Sequence, residues 1–91
     1  MKRKLVFLEW LDHCSSGKQG WKDADEVMDL APMVMTSVGW ILKETPKWII
    51  LTAHLHGEKE HERYVTHCQG DLCVMKCAVT KRVAIKQTWS R

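Results

Sequence analysis

The chain has 91 residues, 45% of them hydrophobic and 27% charged, which is too apolar for disorder and large enough for one modest core. Its formal charge of +3, from 14 Lys and Arg against 11 Asp and Glu, gives no sign of a dedicated nucleic-acid binder. No apolar run reaches the ~18–20 residues that cross a bilayer, and "LVFLEWLDHC", with Glu9 and Asp12, does not read as a secretory leader. The expectation is a single domain over residues 1–91 with no membrane partner, acting in a cell's cytoplasm with its four cysteines as reduced thiols.

In chain order, "MKRK" is a cluster of solvated charges. "KLVFLEW" then alternates as a strand, with Leu5, Phe7 and Glu9 on one side and Val6, Leu8 and Trp10 on the other. "LDHCSSGKQGW" has loop composition. Residues Ala24–Leu30 are expected to form a short helix. Asp23 would accept from the N–H of Glu26 while Glu26 reaches back, and Pro32 ends the segment.

Val34 to Lys43 reads as a strand with Val38, Trp40 and Leu42 on one face and Ser37, Gly39 and Ile41 on the other. A glycine there marks a bulge, a bend or a close approach. "KETPK" turns the chain at Pro46, and "KWIILTAHL" returns. "HGEKEHERYVTHCQG" reads as a long loop or hairpin tip with a short strand at Arg63–His67. "DLCVMK" and "KRVAIKQTW" complete five strands. The fold class is mainly β (α+β): a small, strongly bent five-stranded antiparallel barrel, which removes edge strands, with one short helix inserted after the first strand. The hairpin from Ser37 to Leu55 is expected at its centre, with Val38, Leu42, Ile49 and Leu51 in the core.

Several of these residues form a pattern: Trp10-Leu11-Asp12 closing the first strand, Gly20-Trp21, "SVGW" at Ser37–Trp40, "LTAHL" and "VMKCAV". Together they resemble a family of small bacteriophage and prophage proteins in which the last motif more often runs Ile-Pro-Lys-Ser-Ala-Ile. Met75 stands here for the proline and Cys77 for the serine. The resemblance spans nearly the whole chain and implies a phage origin and an Sm-like or SH3-like barrel. It supplies no activity.

Chemical constellations are thin. His67, Cys68, Cys73 and Cys77 invite zinc, but their spacings are not those of paired knuckles, and no metal is expected. His54 and His56 would share a strand face. Adjacent His13 and Cys14 would point apart and lack an orienting third group. "GKQG" lacks the order of a phosphate loop. No catalytic residue, cofactor or enzymatic activity is expected.

What remains is binding. Five tryptophans against one Phe and one Tyr exceed what so small a core holds, so at least one is expected at a subunit or ligand contact. The chain is expected to associate with itself, at least as a dimer. Candidate ligand groups are Ser15, Ser16, Lys18 and Trp21 in the first loop, with Lys43, Thr52, His54, Arg63 and Lys76. The expected function is a phage-encoded, non-enzymatic, counter-defence protein in the host cytoplasm that sequesters a phosphorylated ligand such as a nucleotide signal. The alternatives are occlusion of a host defence protein and, third, an Sm-like RNA- or DNA-binding module. A convergent basic pocket would mark the first, an exposed apolar patch the second and a basic stripe the third.

Overall fold

A computed structural model describes residues 3–56 and 67–89. In chain order these form strand β1 (Leu5–Asp12), helix α1 (Ala24–Met28), strands β2 (Met33–Glu44), β3 (Trp48–His56) and β4 (His67–Met75), a 3-10 turn at Lys76–Ala78, and strand β5 (Val79–Ala84). All strand pairs are antiparallel, in one sheet of order β4-β3-β2-β1-β5. The expected five strands and single short helix are present. The sheet is open, since β4 and β5 do not pair.

The core lies on the face carrying Val6, Leu8, Ile49, Leu51 and Val74, each at most 2% exposed. Trp10, Ile41, Leu72 and Val79 pack around them. Ile49 and Leu51 are thus where the sequence put them, but Val38 is 57% exposed and Leu42 only half-buried. Gly39 explains the reversal. It pairs with Val6 on the core face, and a Cβ there would lie 3.0 Å from the Thr52 carbonyl oxygen and 3.2 Å from Leu51 Cβ. Only a glycine lets β3 approach β2 so closely, so the face of Ser37, Gly39 and Ile41 turns inward and Val38 outward.

Beyond Ile41 the register with β3 shifts by one residue at Leu42, a bulge that bends β2 and flips its side-chain parity. The Arg3 guanidinium lies 3.4 Å and 3.2 Å from the Ile41 and Leu42 carbonyl oxygens at this irregularity and donates to them. At the β2–β3 corner the Thr45 hydroxyl accepts from the N–H groups of Lys47 and Trp48.

The helix is shorter than expected. Asp29 caps it, and Leu30 N–H turns back to the Val27 carbonyl at 3.1 Å. The reciprocal cap does not form either. Asp23 accepts from Asp25 N–H at 3.3 Å, and Glu26 extends to Lys18 instead. The short strand expected at Arg63–His67 lies outside the described residues except for His67, which opens β4. The molecule is elongated, with a radius of gyration of 17.5 Å where a compact chain of this length has about 12 Å.

Candidate functional site

Among the described residues the two most exposed large apolar side chains, Trp21 and Met28, lie on the connection from residue 13 to residue 32. Its base is held by the last β1–β2 pair, Asp12 with Met33, and by the Cys14 thiol, which donates to the Ala31 carbonyl at 2.9 Å. Above that base, α1 buries no residue. Trp21 is 105% exposed, Met28 73%, and Val27 and Leu30 about two-fifths. Trp21 therefore does not pack against the sheet. An indole this bare exposes a large apolar face to water, which is unfavourable unless something covers it.

The charge of this connection is acidic. Asp23, Asp25, Glu26 and Asp29 outnumber Lys18 and Lys22, whereas the rest of the chain carries 12 Lys and Arg against 7 Asp and Glu. Lys18 sits 3.2 Å from Glu26, both side chains more than half exposed, so this ion pair contributes little.

The other candidate ligand groups are dispersed. Ser15 is exposed, and Ser16 accepts from Lys18 N–H at 3.3 Å. Lys43 is exposed and lies opposite Ile50 on the β2–β3 hairpin. Thr52 is fully buried. Its hydroxyl donates to the Gln69 carbonyl at 2.8 Å and lies 3.1 Å from that of His54. This is a cross-strand tie rather than a ligand contact. Arg63 lies outside the described residues. Lys76 is bound to Glu44. Four candidates, Ser15, Ser16, Lys18 and Trp21, share the first connection. Lys43 and Lys76 lie toward the β2–β3 corner, and His54 toward the other end of the β3–β4 hairpin.

His54 lines a shallow cleft of about 200 Å³ with Leu55, His56, His67, Cys68 and Gln69. His56 and His67 face each other across the strands with ring centroids 5.9 Å apart. Among the described residues no three His, Cys, Asp or Glu side chains are placed to hold a metal ion. Cys68 and Cys73 are five positions apart on β4, which puts them on opposite faces and about 16 Å apart along the strand. All four cysteines are free.

The strongest electrostatic feature joins the sheet's two edges. Glu44, at the end of β2, receives Arg82 of β5 at 2.8 and 3.0 Å in a two-pronged contact, and Lys76 at 2.7 Å. The Arg82 hydrogen bonds, then that of Lys76, lower the Glu44 pKa to about 2 against a smaller opposing effect of burial. Glu44 in turn raises that of Arg82. These side chains are about a third exposed. Glu44 thus holds both cations, and the cluster has the character of a clasp.

On the outward face, sequence reasoning missed a second apolar surface. Phe7 lies between Val38 of β2 and Val83 of β5 in register, and both valines are more than two-fifths exposed. One row further, Leu5 pairs with Trp40, whose ring meets Trp89 edge-on at 6.5 Å. Alternation was a usable signal: Leu5 and Phe7 are as apolar as the inward Val6 and Leu8, so one face had to stay outside. No helix among the described residues is long and apolar enough to cross a membrane.

The molecule is thus a small open antiparallel sheet with a projecting acidic and apolar connection. No family model, curated protein or solved structure matches the chain.

Proposed function

We propose that this chain is a non-enzymatic binding module that recognises a protein, using the 13–32 connection as its contact element. One observation carries the reading: Trp21 and Met28 both stand exposed on the same connection, whose helix buries no residue. An aromatic and a methionine presented together are the groups that anchor protein interfaces. The carboxylates around them favour a partner whose apolar groove has a basic rim. They disfavour a phosphorylated ligand, for which the four loop donors would otherwise be a reasonable cradle. Taken with the resemblance to small bacteriophage proteins, the partner is a host protein of an infected cell, inhibited by occlusion. In this reading the curled sheet is the wall of a small Sm-like or SH3-like barrel. The direct 3-10 link between β4 and β5 and the Glu44 clasp support that closure.

The test compares wild type with Trp21→Ala as immobilised bait. A host protein retained by the first and lost by the second, then rebound as a purified component with a measurable Kd, is the expected result. A nucleotide or cyclic dinucleotide that raises the melting temperature of wild type but not of Trp21→Ala, with no protein retained, overturns the reading in favour of ligand capture.

A further inference from the structure

The register of β3 with β4 brings a set of nitrogen donors to one end of that hairpin. His56 stands directly opposite His67, and His54 directly opposite Gln69. Residues opposite one another share a face, as do residues two apart on one strand, so three imidazoles and one amide lie on the same face here. Leu55 and Cys68, the intervening pair, project to the other face. The donors gathered on the first face are therefore nitrogens and not a thiol.

The His56 and His67 rings stand 5.9 Å apart between centroids and cross at 69°. Both residues are exposed, and both line the cleft of about 200 Å³ with His54 and Gln69. An ion with metal–nitrogen bonds of about 2.1 Å at a tetrahedral angle holds two ring centres about 5 Å apart. The observed spacing is slightly wider. A histidine ring turns easily about its second side-chain torsion, whose preferred range is broad. One nitrogen of each ring thus reaches a common point while the backbone stays in place.

Donor type sets the ligand class. Imidazole nitrogen suits zinc, copper and nickel, whereas calcium and magnesium take oxygen. Two protein donors leave the other coordination positions to water, which makes the ion exchangeable.

We propose that His56 and His67 form a two-imidazole site for an exchangeable divalent transition-metal ion, which fastens the end of β3 to the start of β4. Among the described residues β4 is an edge strand, paired with β3 alone, so the ion ties down a strand held from one side. The site belongs to the β3–β4 hairpin and is independent of the role given to the 13–32 connection.

The experiment titrates zinc, and cobalt(II) as a coloured probe, into the full chain and into His56→Ala, His67→Ala and His54→Ala. All three positions are exposed, and far-UV spectra and melting curves of the metal-free variants check that each folds. Wild type is expected to bind one zinc ion. His56→Ala and His67→Ala should each weaken that binding at least about tenfold, because the second donor of a chelate binds intramolecularly. His54→Ala should stay within about threefold of wild type, since among the described residues no third donor is placed to join the pair. The cobalt complex should lack the near-ultraviolet charge-transfer band of thiolate ligation, which separates this site from the exposed Cys68, Cys73 and Cys77. No zinc uptake by wild type, uptake unchanged by loss of either His56 or His67, a loss in His54→Ala as large as in those two, or a thiolate band overturns the inference.

Discussion

The strand body and the 13–32 connection draw on the same apolar residue types and place them oppositely. In the body, Leu8 and Val6 are essentially inaccessible to water, because register brings Gly39 against Val6 and lets β3 close over them. In the connection, Trp21 and Met28 are almost wholly in water, because a 3.6-residue turn between two loops has no second element to lean on. The difference teaches that residues of the body are constrained by packing within the chain, whereas Trp21 and Met28 are not.

That contrast can be broken most sharply in the core. Leu8→Ala should destabilise the chain by about 2–5 kcal/mol, read as a lower denaturant midpoint. With five fully buried hydrophobic side chains among the described residues to share the load, a loss below about 1 kcal/mol would mean that the core is not where the sheet places it. Next comes Gly39→Ala. The added Cβ meets a backbone oxygen at 3.0 Å, which cannot swing away, so overpacking should cost about 1–3 kcal/mol. An unchanged midpoint would show that β2 and β3 are not in this contact.

A smaller effect tests the clasp. The folded pKa of Glu44, about 2, lies below its ordinary 4.5. Its contribution is therefore present above pH 4.5 and is lost as pH falls toward 2. Allowing for partial exposure, it is on the order of 1 kcal/mol. Glu44→Gln should lower stability at neutral pH by a similar amount and flatten the acid limb of the stability curve. An acid limb unchanged in the variant would assign it to other carboxylates. The smallest effect belongs to the connection: Lys18→Ala removes only an exposed ion pair and should shift stability by less than about 0.5 kcal/mol. A larger loss would mean that the connection is packed in the folded chain, which would erase the contrast.

Much of the fold was legible because alternation and turn residues mark strands directly. Leu5 to Trp10, the Pro46 corner and the Trp48–His56 return all appear as read, within two residues. The faces of β2 were harder. Val38, Trp40 and Leu42 alternate as cleanly as Gly39 and Ile41, and parity alone cannot say which set faces inward. The deciding quantity was the space across Gly39, which depends on a strand 13 positions away. Thr52 shows the same limit at the candidate site. A threonine in a strand reads as a polar donor, but pairing with β4 puts its hydroxyl against the Gln69 carbonyl and out of reach. Trp21 was legible as a candidate contact residue, but its complete exposure was not, because sequence does not show which side chains pack against the sheet.

The pairing of β1 with β5 also governs the order in which the chain can fold. Val6 pairs with Ala84, so one edge of β1 is covered only once β5, which follows the other four strands in the chain, is in place. Until then β1 can pair with β2 alone, and its other edge presents free N–H and C=O groups to any passing chain. The hairpins β1–β2, β2–β3 and β3–β4 need only nearest neighbours in the sequence, whereas the β1–β5 contact must close a loop that contains β2, β3 and β4. The sheet is therefore completed by a docking step of high contact order, slow relative to hairpin formation.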